Sequence, residues 1–466
     1  MSDWTPPSAP TGPPPPPPMP SGPPVRDQAP PPPPPPAFAP PVPSYGPPSA
    51  PPVGAWQPVG GEPPPRRSRW VTALAALVVV AVVAGLAAFV AVSEPDDNEE
   101  ASDVGIPDDA GSPDDSEVLT EADFDGVIDD LIAFVENERG LTFATRPVVT
   151  FQDDAEFEAG LRVLLEEDLT QEDLDLQLAY FQALGLVEPD ADMRAIFDQL
   201  YSGAVLGYYS TDSKELYVRG GNPTAYARQT LAHELVHALE DEHFGIDRPE
   251  LDDTGDERGL GLLGLTEGSA EYIGQRYEAS LSDKERRALL DEEASFGADL
   301  DIRGIPLFLF DNLTAPYAEG PELIDAILAG GGQPALDAAF DAPPITSEQF
   351  LEPTAYLSGD GPLEVPPPAA DGTEIERGAY GALFWRSLLF AETAPAVAAR
   401  AVEGWGGDDG VLYADGDRAC VRVNLVGDTD RDTDELLAAL DERGAAGADE
   451  FSVELVDGIV TFTSCG

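Results

Sequence analysis

Hydrophobic residues recur three and four positions apart in four segments between residues 123 and 203, which is the spacing of an amphipathic helix. A fifth segment, LTFATRPVVTFQ (141–152), carries the β-branched and aromatic residues of a strand. The stretch from Ala204 to Gly220 alternates aromatic and β-branched residues on both sides of Thr-Asp-Ser and therefore predicts a β-hairpin. The four helical segments are DFDGVIDDLIAFVENERG (123–140), DDAEFEAGLRVLLEEDL (153–169), QEDLDLQLAYFQALGLV (171–187) and DADMRAIFDQLYSG (190–203).

A longer helix is predicted directly after the hairpin. Asn222 and Pro223 are typical of the N-cap and the first helical residue, and apolar residues follow at helical spacing. The pattern stays mainly helical to about Phe390, apart from the loop DAPPITSEQFLEP (341–353). Residues 410–466 predict a strand (CVRVNL), a helix (DTDELLAALDERG) and a hairpin with an Asp-Gly turn (FSVELVDGIVTFTSC). The predicted fold class is α+β and mainly helical, with a small β-sheet and a C-terminal α+β cap.

The chain before residue 118 has a different composition. Residues 1–69 are rich in proline and lack the spaced apolar residues of a core, which predicts a disordered tail in polyproline II conformations. Residues 70–92 include an uncharged run from Val71 to Val92 that would be about 33 Å long as a helix, enough to cross a bilayer. The acidic, Pro/Ser-containing residues 93–117 predict a stalk, and residues 118–466 form the folded domain.

Charge indicates the orientation and excludes some partners. Arg66, Arg67 and Arg69 precede the predicted span and acidic residues follow it, so we expect a single-pass protein of the cell membrane with a cytoplasmic N-terminus. The net charge is −62 for the chain and, with 21 basic and 84 acidic residues, −63 after residue 92. Nucleic acid and anionic lipid headgroups are therefore poor partners for the domain.

Only two cysteines occur, Cys420 and Cys465, and both fall on the predicted extracellular side. A disulfide between them would persist in that compartment. We expect it to join the two outer strands of the C-terminal cap.

All three histidines of the chain lie within TLAHELVHALEDEHF (230–244). His233, Glu234 and His237 form an HExxH motif on the predicted helix. Residues four apart on a helix share a face, so both imidazoles can reach one metal ion. Glu234 lies about 100° around the helix from His233, where its carboxylate can act as a base on a water beside the metal without being a ligand.

Two candidates exist for a third ligand. His243 has the spacing of the third histidine of metzincins, HExxHxxGxxH, but Glu240 stands where their helix-breaking glycine is, and no methionine follows for their methionine turn. We expect His243 to lie at the end of the helix near Gly245, although it stays a candidate ligand. The other candidate is Glu267 in GLTEGSAEYIGQRY (264–277), on a predicted helix whose small residues permit close packing on a neighbour.

With HExxH followed by this glutamate helix, residues 204–277 resemble the gluzincins, the thermolysin-like zinc peptidases. The resemblance implies that His233, His237 and Glu267 bind Zn²⁺, that Glu234 is the general base and that Glu271 orients a ligating histidine. Exchanged roles of Glu267 and Glu271 stay open. More loosely, HELVHALEDEHF, EGSAEY and PPITSEQFLEP look like an uncharacterised group of exported or membrane-anchored HExxH proteins.

The resulting hypothesis is a membrane-anchored, extracytoplasmic zinc peptidase that acts on a peptide or protein substrate. Zincins bind substrate as an extended strand along a sheet edge, which the hairpin at 204–220 would supply. The alternative is a non-catalytic surface protein that zinc stabilises and that recruits polyproline-binding partners through its N-terminal tail.

Overall fold

The computed structural model of this protein describes residues 121–252, 255–299, 303–444 and 448–466. All of these residues belong to one compact unit. The predicted proline-rich tail (1–69), membrane span (70–92) and acidic stalk (93–117) lie outside the described residues. Among the helices of the described part, none is long and apolar enough to cross a membrane.

Within the described residues the chain forms fifteen helices and eight strands. The helices before residue 281 are α1 (Glu121–Arg139), α2 (Asp154–Asp168), α3 (Gln171–Ala183), α4 (Met193–Ala204), α5 (Ala225–Phe244), α6 (Pro249–Asp252) and α7 (Arg258–Ser280). The later helices are α8 (Asp283–Asp299), α9 (Leu307–Gly331), α10 (Gln333–Asp341), α11 (Glu348–Leu351), α12 (Pro353–Ser358), α13 (Gly381–Phe390), α14 (Pro395–Val402) and α15 (Asp430–Arg443). The strands are β1 (Val148–Gln152), β2 (Gly207–Ser210), β3 (Glu215–Arg219), β4 (Thr373–Gly378), β5 (Trp405–Asp415), β6 (Arg418–Gly427), β7 (Glu450–Val456) and β8 (Ile459–Cys465).

The predicted class, α+β and mainly helical with small sheets, is confirmed, and α1 to α4 occupy the four segments with helical periodicity. The strand predicted over residues 141–152 is shorter and covers only Val148–Gln152. Its first half instead supplies loop contacts to the ends of α1 and α5, through Phe143 and Ala144. Proline at position 147 has no backbone N–H to donate to a neighbouring strand, which explains why the strand begins at Val148.

The smaller sheet has the strand order β1-β3-β2. The predicted hairpin is confirmed, with β2 antiparallel to β3 and the turn at residues 211–214. Strand β1 lies on the other side of β3 and runs parallel to it. This order leaves β2 at an edge, directly beside α5: a methyl group added at Gly207 would lie 2.9 Å from Cγ2 of Thr230.

Helix α5 carries the histidines. It begins two residues later than predicted, because the side chain of Thr224, rather than that of Asn222, accepts the N–H of Ala227 at 3.2 Å and caps the helix. It ends at Gly245, whose φ of 65° closes the last turn as predicted. Leu231, Leu235 and Leu239 are fully buried, and α5 is therefore a central helix rather than a surface one.

Two apolar cores meet at α7. Ala270 and Ile273 pack in the core that contains α1, the smaller sheet and α5. Leu260 and Leu265 pack in the core that contains α9 and α10. This double burial holds α7 beside the histidine helix on one side and beside α9 on the other.

Glycines allow the closest of these contacts. A methyl group on Gly268 would lie 2.5 Å from the carbonyl carbon of Gly320 in α9, and one on Gly264 would lie 2.6 Å from the ring of Phe350. The sequence predicted that small residues of this helix permit close packing, which the structure confirms. The partner of Gly264 and Gly268, however, is not the histidine helix but α9 and the segment around Phe350.

The C-terminal sheet is larger than the predicted cap over residues 410–466. Its five strands have the order β4-β5-β6-β8-β7, and it begins at Thr373. Strand β5 was not predicted, because its sequence, WGGDDGVLYAD, contains glycine and aspartate, which are uncommon in strands. Gly410 lies under the ring of Tyr380, where a methyl group would come within 2.4 Å of the ring, and glycine there is required by packing.

The predicted disulfide is present, but not between outer strands. Cys420 and Cys465 are directly opposite each other on the neighbouring strands β6 and β8, with Cα atoms 4.1 Å apart. The hairpin inserts its second strand beside β6 and leaves β7 at the edge, so the bond lies inside the sheet. Both sulfur-bearing residues are buried.

Replacing Cys420 and Cys465 together by alanine is expected to lower the free energy of unfolding by up to about 4 kcal/mol, because the bond closes a long loop in the unfolded chain. Urea unfolding of the wild type with and without reductant, beside the double variant, measures this loss. Equal midpoints for the oxidised wild type and the double variant would show that the bond is dispensable for stability.

Candidate metal centre

Three buried side chains converge between α5 and α7. The Nε2 atoms of His233 and His237 are 3.1 Å apart, and Oε2 of Glu267 lies 3.2 Å from the first and 3.3 Å from the second. Each of the three residues is at most 3% exposed. They are the one group of three or more potential ligands of this kind within the described ranges.

The helical geometry of α5 brings the two histidines together, whereas packing between α5 and α7 brings the glutamate to them. His233 and His237 are one turn apart on α5, and their rings meet edge to face at 4.8 Å between centroids. Glu267 reaches them because Ala270 and Ile273, on the same helix, are buried against the leucines of α5. The group thus depends on the contact between α5 and α7.

The triangle of donor atoms has the dimensions of a metal site. Ligands about 2.1 Å from a tetrahedral ion are about 3.4 Å from one another. The observed separations of 3.1 to 3.3 Å are close to this value. Two imidazole nitrogens at this distance are satisfied either when one carries a proton that it donates to the other, or when both act as acceptors toward a shared cation. The group could therefore hold a metal ion.

The charges in the group support the same conclusion. Burial raises the pKa of Glu267, but the charges of the two histidines and the hydrogen bonds from them outweigh it and lower the pKa to about 2. Burial lowers the pKa of His233, yet its hydrogen bonds to Glu267 and Glu271 raise it to about 10. The buried carboxylate thus favours positive charge on this group, which a proton or a divalent cation can supply.

Glu234 is beside the group and not part of it. Its side chain is fully buried, and neither carboxylate oxygen has a hydrogen-bond partner in the described part of the chain. Burial raises the pKa of this carboxyl to about 7, although the positive charges of His233 and His237 and the nearby backbone N–H of Tyr209 act in the opposite direction. A methyl group on Gly207 of β2 would lie 3.7 Å from Cγ of Glu234, so the edge strand is its immediate neighbour.

The remaining candidates from the sequence lie outside the triangle. Oε2 of Glu271 is 3.7 Å from Nδ1 of His233, on the side of the ring opposite the group. This is the position from which a carboxylate orients a ligating histidine. His243 lies at the end of α5, as predicted, and its Nε2 donates to the carbonyl of Thr142 at 3.0 Å. The structure brings Glu267, and not His243, to the histidine pair.

Several residues around the group had no distinct signal in the sequence. The ring of Tyr317 in α9 is stacked on His233, with centroids 6.1 Å apart and planes 15° apart. Asp241 of α5 accepts hydrogen bonds from Tyr209 Oη at 2.7 Å and from Lys214 Nζ at 2.5 Å, and it thereby fastens the β2–β3 hairpin to the helix. These contacts join segments far apart in the chain, and no short motif marks them.

Comparison with known proteins gave no match to a family model, a curated protein or a solved structure.

Proposed function

We propose that this protein is a membrane-anchored, extracytoplasmic zinc peptidase. The observation that carries the proposal is the triangle of His233, His237 and Glu267 with the unpaired carboxylate of Glu234 beside it. Two imidazoles, one carboxylate and a separate base are the parts that metal-assisted hydrolysis of a peptide bond requires.

Zinc is the metal that this donor set suits best. Two imidazole nitrogens and one carboxylate oxygen are typical of catalytic zinc, while calcium and magnesium prefer sites made of oxygen atoms. Three protein ligands leave a fourth position for water or substrate. Zinc held by His233, His237 and Glu267 would supply a Lewis acid that polarises the scissile carbonyl and lowers the pKa of water.

Glu234 is the proposed general base. Its carboxylate oxygens have no close hydrogen-bond partner within the described residues, and the nearby backbone N–H of Tyr209 favours the ionised form that accepts a proton. In the reaction, Glu234 takes a proton from the attacking water, the water oxygen bonds to the carbonyl carbon, and Glu234 returns the proton to the amine nitrogen as the C–N bond breaks. Glu271 would hold the ring of His233 in place from its Nδ1 side.

The outer edge of β2 is the proposed binding surface for the peptide. Arg219 donates its N–H to the carbonyl of Leu206, and paired residues of an antiparallel ladder exchange such bonds at alternate positions. The backbone groups of Gly207 and Tyr209 consequently point away from β3, and the N–H of Tyr209 is near enough to Glu234 to lower the pKa of its carboxyl. An extended peptide could pair with these groups as an added strand.

The membrane location belongs to the proposal as well. It is supported by the uncharged run over residues 70–92, by the three arginines that precede it and by the acidic residues that follow it. The disulfide between Cys420 and Cys465 is consistent with a domain outside the reducing cytoplasm.

Metal content and peptide turnover test the proposal. The purified full-length protein is expected to contain about one zinc ion per chain and to hydrolyse casein or unstructured peptides, and a chelator should abolish turnover until zinc is restored. His237→Ala should lose the ion, whereas His243→Ala, the matched histidine at the end of α5, should keep it. Equal zinc content in these two variants would contradict the assignment of the metal centre.

A second function is favoured by one observation. His233, Glu234, His237 and Glu267 are all nearly inaccessible to solvent, as in metal sites that only stabilise a fold. The protein would then bind partners, with the proline-rich tail over residues 1–69 recruiting polyproline-binding proteins. Deletion of residues 1–69 separates the two functions, because a peptidase would retain its turnover and a recruiting protein would lose its partner.

A further inference from the structure

A buried polar cluster lies beside the metal centre, and the proposed mechanism does not use it. We call Arg139, Glu240, Ser269 and Asp337 the Arg139 cluster. Arg139 Nε donates to Glu240 Oε1 at 2.7 Å, and Ser269 Oγ donates to the same oxygen at 2.6 Å. Arg139 Nη1 also donates to Asp337 Oδ1 at 2.7 Å. One carboxylate oxygen of α5 therefore joins α1 and α7.

The guanidinium group is buried and contacts several residues through Nε and Nη1, while its Nη2 has no hydrogen-bond partner among the described residues. Arg139 is fully buried, and its Cζ lies 5.3 Å from the ring centroid of Phe244 and 5.5 Å from that of Phe340. Gln333 of α10 accepts a further hydrogen bond from Nη1 at 3.0 Å. Removing a guanidinium and a carboxylate from water costs several kcal/mol per ion, and such pairs often stabilise a fold no better than apolar residues of the same volume. The cluster is therefore better explained by the arrangement of helices that it fixes than by a contribution to the free energy of unfolding.

The position of the cluster indicates which geometry it fixes. Glu240 is three residues after His237 on α5, and Ser269 is two residues after Glu267 on α7. Residues two apart on a helix point in directions about 200° apart. Glu267 and Ser269 therefore leave α7 in nearly opposite directions, and both contact residues of α5. Together the two contacts fix the rotation of α7 about its axis as well as its distance from α5.

The glycine contacts cannot supply this constraint. Gly264 and Gly268 set α7 against Phe350 and against Gly320 of α9, and neither contact involves α5. The apolar contacts of Ala270 and Ile273 with α5 have no directional preference. The ligand group and the contact of Glu271 with His233 already join α5 to α7. Apart from these, the hydrogen bond between Ser269 and Glu240 is the directional contact between the two helices among the contacts described.

We infer that Glu240 and Ser269 are positioning residues that, with Arg139, hold the carboxylate of Glu267 where an ion needs it. The inference rests on the metal centre of the proposed function. None of the hydrogen bonds of the cluster uses a donor atom of the metal centre, so its loss should weaken binding of the ion by displacing Glu267 even in variants that remain folded.

Zinc affinity, measured by competition with a chelator on the full-length protein, tests the inference. Ser269→Ala is expected to raise the Kd for Zn²⁺ about 10-fold and Glu240→Gln by about 10-fold to 100-fold, the range found when outer partners of metal ligands are removed. Ser464→Ala is the matched control, because Ser464 is also a buried serine and donates to the carbonyl of Ala183 at 2.6 Å in the C-terminal sheet. It should lower the melting temperature like Ser269→Ala and leave the Kd within about twofold of the wild-type value. A Kd unchanged in Ser269→Ala and Glu240→Gln would overturn the inference.

Nuclear magnetic resonance of ¹⁵N-labelled histidine in the metal-free protein gives a second readout. With three histidines in the chain, each imidazole can be followed separately. Ser269→Ala should shift the ring resonances of His233 and His237, which contact Glu267, and leave those of His243, which binds Thr142, unchanged. If the wild type bound no zinc but these shifts occurred, the proposed function would fail and the positioning of Glu267 would stand. If zinc bound and the resonances of His233 and His237 did not move, the positioning role would be wrong.

Discussion

Replacing Glu234 by glutamine is expected to lower peptide hydrolysis by about 10²-fold to 10⁴-fold, the contribution of a positioned general base. Glutamine has nearly the same shape as glutamate but cannot accept a proton. Zinc content should stay at the wild-type value, because Glu234 is not one of the three residues whose donor atoms converge. The melting temperature should not fall, since the native carboxylate is buried without a close partner and a glutamine oxygen can face the backbone N–H of Tyr209 in the same way.

The measurement is the initial rate of peptide cleavage beside metal analysis of the same samples. Glu242→Gln is the matched control: Glu242 is exposed on the same helix, and its Oε1 accepts the N–H of Ala144 at 2.6 Å, which a glutamine oxygen can also do. Turnover should be unchanged in this variant. If Glu234→Gln retained full turnover, Glu234 would not be the base, and if neither the variant nor the wild type cleaved peptides, a zinc-stabilised binding protein would be the better description.

Gly268→Ala is expected to lower the free energy of unfolding by about 1–3 kcal/mol, the usual cost of overpacking. The added methyl group would meet the backbone of Gly320, with its carbonyl carbon 2.5 Å away, and backbone atoms of two helices cannot rotate aside as a side chain can. The helices α7 and α9 would have to separate. Because Glu267 is the preceding residue, the same shift should weaken zinc binding.

Gly274→Ala on the same helix provides the comparison. The nearest atom to a methyl group there is Oε2 of Glu271 at 3.9 Å, which is ordinary contact. Without a clash, exchanging glycine for alanine inside a helix should stabilise it by about 0.5–1 kcal/mol. Urea unfolding of both variants measures the difference, and a Gly268→Ala protein as stable as Gly274→Ala would show that the contact between α7 and α9 is looser than described.

Much of the local structure could be predicted from the sequence. The helical periodicity placed α1 to α4, and the alternation around Thr-Asp-Ser placed the β2–β3 hairpin. The errors occurred where local preference and tertiary context disagree. Strand β5 contains glycines and aspartates that disfavour a strand, yet Asp408 is satisfied there by the indole N–H groups of Trp385 at 2.7 Å and Trp405 at 3.1 Å. Partners supplied by distant segments offset the poor intrinsic preference of the strand.

In the candidate site, too, the sequence determined the local geometry and left the contacts between distant segments open. One helical turn separates His233 from His237, so the sequence determined that their rings share a face as soon as it determined a helix. The sequence left His243, Glu267 and Glu271 as competing partners of this pair, because separation along a chain does not define a distance in space. The resemblance to gluzincins favoured Glu267, and the structure brings that carboxylate to both imidazoles.

By itself, then, the sequence determined what depends on neighbours along the chain: helix periodicity, the HExxH face and the hairpin turn, while the separation of tail, span and domain stays a prediction. Only the tertiary structure decided that Cys420 and Cys465 lie on adjacent inner strands, that Gly268 meets α9 and that Ser269 reaches Glu240. Local geometry repeats with a fixed period and can be derived from a short segment. A contact between segments depends on how all the apolar faces are buried together, and no single segment contains that information.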